Sequence, residues 1–283
     1  MEVIIIFISP NGTTGKTAQI IGELFIKDGC NVTYIEIEKD MNSIEEIRSR
    51  IKNADIIGLG SPAYHMDFLN PLKIFVKDNL SSSIKAKVFF FMNYAGITSG
   101  FAFLNMSKIL IKKNIKIAGA VKVFAPHFYQ NEIFPSDLTI ETVHNFYDKI
   151  RNNNFTEMTK KELKYSFKPQ KIRTRLLYPF VHFVGKKREL QITINSSQCR
   201  KCKKCIHECV VNALSFEDSE LMRNNSKCIH CYHCVVCCKF DAITAPISKL
   251  ESFISMNKRI IGMENPINDF YYAEKNHILL CQK

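Results

Sequence analysis

The sequence lacks a hydrophobic run long enough to cross a membrane. Its first apolar run covers only residues 3–8, and a later apolar stretch around residues 176–185 is also far shorter than the roughly eighteen residues that a spanning helix needs. A secretory leader is not expected either, because Glu2 stands where such leaders carry positive charge. We therefore expect a cytoplasmic protein with no transmembrane segment.

The sequence also lacks the wide cysteine spacing of a secreted disulfide scaffold. It has 11 cysteines, and eight of them lie in two tight groups between residues 199 and 238. Cys30, Cys237 and Cys281 lie outside the two patterns. Clustered thiols in a chain without a leader predict metal ligands in a reducing compartment.

Acidic residues are scarce in one segment. Residues 151–200 carry 12 Lys and Arg against 3 Asp and Glu, whereas residues 1–150 are nearly balanced at 16 against 15. This basic stretch is interrupted by aromatic residues. It could bind nucleic acid or an anionic membrane, but no nucleic-acid-binding fold or clean amphipathic repeat accompanies it. We predict a solvated linker face, or a positive patch that steers an acidic redox partner, and no nucleic acid.

Apolar strand-like runs alternate with helical patterns in the first part of the chain. Continuous apolar runs are typical of parallel strands that are buried on both faces. A doubly wound sheet of five parallel strands is therefore expected in an α/β domain over residues 1–152. The predicted strands are 3–8, 32–37, 55–59, 87–92 and 117–124, and the last helix runs over about 137–150.

The two cysteine groups repeat one spacing. Each reads C-x2-C-x2-C-x3-C, and the second group follows the first at an offset of 29 residues. The repeat extends beyond the thiols, because Ala213-Leu214 corresponds to Ala242-Ile243. Only Cys238 of the adjacent pair Cys237-Cys238 keeps this register, so we assign Cys237 no ligand role.

Over about 55 residues this pattern resembles a bacterial-type ferredoxin with two [4Fe–4S] clusters. We place that small α+β domain at residues 191–247. The resemblance implies that the fourth cysteine of each run binds the other cluster. Two structural zinc sites are the alternative, although zinc sites usually separate two C-x2-C pairs by a longer loop. The implied ligands are Cys199, Cys202, Cys205 and Cys238 for cluster 1, and Cys228, Cys231, Cys234 and Cys209 for cluster 2.

The first loop, SPNGTTGKT, ends like the phosphate loop of a nucleotide triphosphatase. That motif requires a glycine at position 10, where this chain has Pro10, which lacks an N–H and has a restricted φ. An earlier frame resembles the phosphate loop of flavodoxins, which binds the single phosphate of FMN at a helix start. The phosphate contacts that this resemblance implies are Ser9, Asn11, Gly12, Thr13 and Thr14.

Two further segments resemble the loops that contact the flavin ring in flavodoxins. They follow the third and fourth predicted strands, and the strand order 2-1-3-4-5 places them with the first loop at one edge of the sheet. The implied ring contacts are Ser61, Pro62, Ala63 and Tyr64 in the first segment and Asn93, Tyr94, Ala95 and Gly96 in the second.

Taken together, residues 1–150 and 191–247 resemble flavodoxin–ferredoxin fusion proteins of anaerobic prokaryotes. Residues 153–190 are then a basic connector, and residues 248–283 a C-terminal tail. The resemblance implies an electron-transfer iron–sulfur flavoprotein that carries FMN and two [4Fe–4S] clusters and exchanges electrons with a redox partner protein. No nucleophile–base constellation is found, so no catalytic residue is predicted. Two alternatives stay open: an FMN-dependent reductase of a small organic substrate, and a zinc-binding regulator with a degenerate flavodoxin-like domain.

Overall fold

The computed structural model describes residues 1–37, 43–130, 132–169, 171–187 and 190–273, with the backbone alone for residues 180–187. The strands are β1 (Glu2–Phe7), β2 (Asn31–Glu36), β3 (Ile56–Tyr64), β4 (Asp67–Phe68), β5 (Lys87–Tyr94), β6 (Lys116–Phe124), β7 (Thr193–Ile194), β8 (Leu214–Glu217), β9 (Glu220–Arg223), β10 (Ile243–Thr244) and β11 (Asp269–Tyr272). The helices are α1 (Thr13–Lys27), α2 (Ile44–Asn53), α3 (Asn70–Asn79), α4 (Ala102–Ile111), α5 (Asp137–Asn152), α6 (Lys160–Ser166), α7 (Ile172–Lys187), α8 (Lys204–His207), α9 (His233–Cys237) and α10 (Ile247–Ile261).

Five parallel strands form the centre of the main sheet. Their order is β2-β1-β3-β5-β6, which confirms the predicted doubly wound sheet with order 2-1-3-4-5. β2 lies on one side of β1, and β3 lies on the other. The loops that follow the carboxyl ends of β1 and β3 therefore lead in opposite directions and leave a crevice between them.

The sheet has two antiparallel additions that the sequence did not indicate. β4 pairs with the end of β3, and β11 pairs with β6 at the outer edge, with Asp269 opposite Lys122. The predicted tail thus contributes a helix, α10, and an edge strand to the structure. Cys281 lies outside the described residues.

Each face of the sheet is covered by its own apolar cluster. Ile5 packs with Phe25 of α1 and Phe146 of α5, whereas its neighbours Ile4 and Ile6 belong to the opposite cluster. Successive residues of a strand point to opposite faces, so the continuous apolar run of β1 supplies both clusters. The basic connector forms α6 and α7, and the buried side chains of Leu163 and Phe167, in and just after α6, join the cluster that contains Ile4.

The cysteine region folds as two similar repeats, and each repeat donates the equivalent backbone hydrogen bond to the other. The N–H of Asn195 donates to Ala242 O at 2.8 Å, and the N–H of Asn224, 29 residues on, donates to Ala213 O at 2.8 Å. The positions of left-handed backbone repeat at the same offset: 201 and 230, 203 and 232, 212 and 241. The sequence repeat is therefore also a structural repeat, consistent with a small ferredoxin domain.

In the part of the chain that the structure describes, no helix combines the length and apolar character that a membrane span would need.

Candidate cofactor sites at the sheet edge

The first loop connects β1 to α1 through a tight turn. Gly12 has φ +81°, and a Cβ placed there would meet nothing within 4 Å. The Ser9 hydroxyl accepts a hydrogen bond from the N–H of Gly15 at 2.8 Å, so this predicted phosphate contact holds the loop in shape. The open turn and the first N–H groups of α1 together form the type of site that binds a phosphate.

Two threonines of α1 differ in whether the protein satisfies their hydroxyls. The hydroxyl of Thr17 accepts from Asn93 Nδ2 at 2.9 Å and donates to Thr13 O at 3.3 Å. Thr14 is only 1% exposed, and its Oγ1 has no hydrogen-bond partner among the described residues. A buried hydroxyl without a partner is unfavourable unless a ligand completes it. Thr14 at the start of α1 therefore fits the phosphate of a bound nucleotide such as FMN.

Lys16 does not point toward this turn. Its Nζ donates to Phe134 O at 3.0 Å, on the side of α1 that faces the segment before α5. The last three residues of the loop, 15–17, therefore act as the first part of a helix. This agrees with the exclusion of a nucleotide-triphosphate loop on the basis of Pro10.

The segment 61–64, the second of the three predicted FMN-binding segments along the chain, is the end of a strand rather than a loop. β3 continues to Tyr64 and turns through His65 and Met66, which both have left-handed φ, into β4. The buried Ser61 hydroxyl accepts from the N–H of Leu69 at 3.1 Å. Ser61 therefore supports the hairpin instead of lining the adjoining cavity.

The third segment divides into exposed and covered parts. Asn93 is buried, and its Oδ1 has no hydrogen-bond partner among the described residues. Gly96, with φ +78°, lies beneath the C-terminal segment, because a Cβ there would be 2.5 Å from Met263 Cε and 2.9 Å from Ile267 Cδ1. The predicted contact at Gly96 is therefore covered by protein.

A cavity of about 270 Å³ lies where these segments meet. Several predicted site residues line it, namely Asn11, Thr13, Pro62, Ala63, Tyr64, Asn93, Tyr94 and Ala95. Sequence reasoning missed a wall from the loop after β6 (Ala125, Pro126, His127, Phe128), one from the cysteine region (His230, Tyr232) and one from α10 (Leu250, Phe253, Ile254, Asn257). The first of these could have been found, since β6 also ends at this edge of the sheet. No sequence signal indicated the other two.

His127 is a titratable group in this wall. Its ring stacks on Tyr129 with centroids 5.3 Å apart, and its Nε2 is buried without a hydrogen-bond partner in the described structure. Burial lowers the pKa of His127 from 6.5 to about 4, because the cationic form loses its hydration. His127 is therefore neutral near pH 7.

Side chains connect the first loop to the cysteine region. Asn11 Nδ2 donates to Tyr64 Oη at 3.2 Å and to Cys231 O at 3.4 Å, and Asn11 Oδ1 lies 3.2 Å from His233 Nδ1. His233 Nε2 in turn lies 3.0 Å from Glu208 Oε2. The side chain of Asn11, predicted as a phosphate contact, is thus used at the junction between the two parts of the protein.

The eight patterned cysteines fall into two groups in the structure. Cys199, Cys202, Cys205 and Cys238 line one small cavity, which Cys237 also lines. We call the four patterned cysteines the outer set because Cys202 is exposed. Cys209 lies close enough to Cys231 and Cys234, together with Cys228, to affect the pKa of both thiols. We call these four residues the inner set. The fourth cysteine of each run thus lies with the first three of the other run.

Three of these thiols, Cys205 in the outer set and Cys231 and Cys234 in the inner set, have a raised pKa in the protein alone. Burial first, and neighbouring thiols second, raise the pKa of Cys205 to about 11 and that of Cys234 to about 12. Burial raises the pKa of Cys231 to about 12, although the N–H of His233 partly stabilises its thiolate. Grouped thiolates need cationic metal to offset their charge, so this donor set fits a metal cluster. The N–H of Ala213 already points at Cys209 Sγ at 3.2 Å.

Within the described ranges, no three His, Cys, Asp or Glu side chains form a group that could hold a metal ion. The outer set is therefore defined by the cavity that its cysteines share, and the inner set by the mutual electrostatic effects of its thiols.

Comparison with known proteins gives results for structure alone. No family model matches the chain, and neither does any curated protein sequence. The structure is similar to an archaeal flavodoxin (18% identity, TM-score 0.43), covering 54% of this chain and 98% of that one. It is also similar to flavodoxin 1 from Bacillus cereus (20%, 0.42, covering 54% and 98%) and to the apo form of the NADH:FMN oxidoreductase EmoB (15%, 0.45, covering 54% and 89%).

These TM-scores are below 0.5 and carry no argument by themselves. The strand order and the crevice at the carboxyl edge decide the class. The N-terminal part has a flavodoxin-like fold.

The residues that follow the fourth cysteine of each run differ in their surroundings. Val210, which follows Cys209, packs against the flavodoxin-like domain: it is 2% exposed and belongs to the same apolar cluster as Ile4. The equivalent residue of the second run, Lys239, is exposed. The proline expected from the ferredoxin resemblance is thus replaced by an apolar contact on the inner side and by a solvated charge on the outer side.

Proposed function

We propose that this protein is an electron-transfer iron–sulfur flavoprotein that holds FMN at the sheet edge and one [4Fe–4S] cluster in each set of thiols. One observation carries the proposal: the loop that holds three cysteines of the inner set forms part of the wall of the cavity of the flavodoxin-like domain. Tyr232, which lies between Cys231 and Cys234 in the sequence, forms part of the cavity wall and stacks on Phe128 with ring centroids 5.5 Å apart.

The cofactors would supply all of the redox chemistry, since FMN exchanges one or two electrons and each cluster exchanges one. The protein would position them. Thr14 and the N–H groups at the start of α1 would bind the phosphate, and Tyr64 and Asn93 would contact the flavin ring. The outer and inner sets would each bind a cluster through four cysteines.

Two tyrosines, Tyr64 and Tyr232, lie in the wall of the cavity, and Tyr64 would remain neutral. Burial raises the pKa of Tyr64 well above its ordinary value of 10.0, and the nearby Cys231 and Tyr232 add to this rise. The hydroxyl of Tyr232 accepts from the N–H of Leu190 at 2.9 Å. Both aromatic side chains would thus form part of the wall between the cavity and the inner loop.

The C-terminal segment would close the cavity from the other side. Leu250, Phe253 and Ile254 of α10 present apolar side chains to it. The segment after α10 is held to the sheet by Glu264, whose carboxylate lies 2.5 Å from Lys122 Nζ and accepts from the N–H of Ser99 at 3.1 Å.

The test is to purify the protein without oxygen, record its absorption spectrum and quantify iron, sulfide, zinc and FMN. The proposal expects about eight irons, about eight sulfides and about one FMN per chain. Stoichiometric zinc without flavin or iron would support the zinc-binding regulator instead.

A second candidate is an FMN-dependent reductase of a small organic substrate, which the apolar wall of α10 and the neutral His127 favour. An aromatic or quinone-like compound could pack against such a wall, and a histidine can transfer a proton. The two functions are separated by mixing dithionite-reduced protein with a panel of such compounds. The protein is reduced with dithionite and freed of the excess, so that only its own electrons are available. Reduction of an organic compound as the protein is reoxidised supports the reductase, whereas transfer only to electron-carrier proteins supports the proposed function.

A further inference from the structure

The two cysteine loops of the repeat differ sharply in the residues between the ligands. The inner loop, 228–234, has Ile229, His230, Tyr232 and His233 at these positions. His230 and Tyr232 line the cavity, and His233 lies 3.2 Å from Asn11. The side chains of the inner loop thus face and contact the flavodoxin-like domain.

The outer loop, 199–205, has a basic residue at each equivalent position. Arg200, Lys201, Lys203 and Lys204 are all exposed, and so is the central Cys202. Arg200, Lys203 and Lys204 line the same small cavity as the outer thiols. The backbone of the two loops is alike, since residues 201 and 203 share the left-handed φ of residues 230 and 232. The outer loop therefore differs from the inner loop in the charge of its side chains and not in its backbone conformation.

The residues beside the outer loop add one more basic side chain and an exposed aromatic ring. Lys239 and Phe240 follow Cys238 and are exposed, with Phe240 44% exposed beside the outer thiols. Two acidic residues lie near this surface along the chain: Asp241, which is exposed and directly follows Phe240, and Glu208, whose carboxylate faces His233 of the inner loop. Five basic side chains against the single exposed Asp241 still leave a positive surface with an exposed aromatic ring around Cys202, the exposed one among the described cysteines.

We propose that this outer face, formed by residues 199–204, 239 and 240, is the docking surface for an acidic redox protein. The inference rests on the proposed function, because electron transfer becomes slow at long distance and the outer set is the one that a partner can approach. Charge complementarity defines the partner: an acidic surface would be attracted by the face and repelled by few nearby groups. The outer face contains no residue of the basic connector 153–190, which the sequence suggested for this role.

The test compares two charge reversals that change the net charge equally. Arg200→Glu/Lys204→Glu reverses the outer face, and Lys160→Glu/Lys161→Glu reverses two exposed lysines at the start of α6 on the connector. Acidic residues are favourable in the first turn of a helix, so the control should fold normally. Arg200→Gln/Lys204→Gln is a milder variant of the first pair. Iron and flavin contents of all variants are measured first.

The rate arm uses fully reduced holoprotein and two outer-sphere oxidants, ferricyanide (an anion) and hexaammineruthenium(III) (a cation). Each oxidant molecule takes one electron from the protein. At low salt the outer-face reversal should slow ferricyanide by about tenfold and accelerate the ruthenium complex, and both effects should fade as salt shortens the Debye length. The connector reversal should change either rate less than twofold.

The binding arm has a readout that does not require electron transfer. Fluorescein-labelled poly-glutamate should bind the wild-type protein and the connector variant, with the affinity of the outer-face reversal lowered by about tenfold or more. A single-stranded DNA of equal charge serves as the nucleic-acid probe. Tighter binding of this DNA than of poly-glutamate to the outer face would overturn the assignment of an acidic protein.

The outcomes separate the docking face from the proposed function. Wild-type protein without iron overturns the proposed function itself. Normal iron and flavin contents, together with equal effects of the two charge reversals, would overturn only the docking face, because overall charge would then explain the rates. Selective effects of the outer-face reversal in both arms support it.

Discussion

Replacing Thr14 with valine should weaken FMN binding without destabilising the protein. Thr14 Oγ1 is buried and has no partner among the described residues, so the flavin-depleted protein loses no hydrogen bond when the hydroxyl is removed. A hydrogen bond to the charged phosphate would contribute about 1.5–3 kcal/mol. At 1.4 kcal/mol per factor of ten, the FMN dissociation constant of Thr14→Val should rise by about 10- to 150-fold.

Thr17→Val is the matched control, because it makes the same change three residues along the same helix. Thr17 Oγ1 accepts from the buried Asn93 Nδ2 at 2.9 Å. Its removal leaves that amide without an acceptor and should lower the free energy of unfolding by about 1–3 kcal/mol. The stability effects of the two variants should therefore differ in the flavin-depleted protein: neutral or favourable for Thr14→Val and unfavourable for Thr17→Val.

The assay combines two measurements made without oxygen. FMN affinity is measured by quenching of flavin fluorescence on titration with flavin-depleted protein, and stability by the midpoint of urea unfolding of the same protein. Iron content should not change in either variant. The phosphate site is wrongly placed if Thr14→Val binds FMN as tightly as the wild type, or if it loses as much stability as Thr17→Val.

The remaining predictions concern burial, register and pH. Lys122→Met should lower the free energy of unfolding by about 3–5 kcal/mol in chemical denaturation, because the Glu264 carboxylate, which is 3% exposed, loses the ammonium group 2.5 Å away. The double variant Lys122→Met/Glu264→Gln should recover part of this loss. An unchanged stability of Lys122→Met would contradict the buried ion pair. Cys238→Ser should reduce iron from about eight to about four per chain, whereas Cys237→Ser should keep about eight, and the reverse result would shift the repeat register by one residue. His127 has a folded-state pKa near 4, below its ordinary 6.5, so the unfolded chain binds more protons between these values and stability falls as pH falls from about 6.5 to 4. In His127→Gln the unfolding midpoint of flavin-depleted protein should fall less over this window than in the wild type, and parallel curves would refute the buried neutral histidine.

The sheet was predictable because its pattern is local. Each parallel strand is a short apolar run between turns, and the known handedness of strand–helix–strand units limits how such runs can be ordered. The strand ends were less predictable, since β3 and β5 continue past their apolar runs through Tyr64 and Tyr94. β11 gave no such signal, because its pairing with β6 depends on a chain segment about 150 residues away in sequence.

The same division holds for the candidate sites. Gly12 and Thr14 could be predicted as phosphate contacts because phosphate binding at a helix start uses consecutive residues. Ser61 and Gly96 match the flavodoxin-type segments equally well, yet one supports a hairpin and the other lies under Met263 and Ile267. Whether a residue of a loop faces a cavity depends on what packs behind it, and that information is distributed over the whole chain.

The amino-acid sequence by itself determined the doubly wound sheet and the two cysteine runs, and it predicts the register that pairs Cys238 with the first run. These properties depend on residue type and spacing along short stretches. Only the tertiary structure decided that the inner set lies against the sheet edge while the outer set faces solvent. The two loops have nearly the same backbone, so their roles differ because Tyr232 and Val210 bury apolar surface against the flavodoxin-like domain, whereas Arg200 and Lys204 stay hydrated.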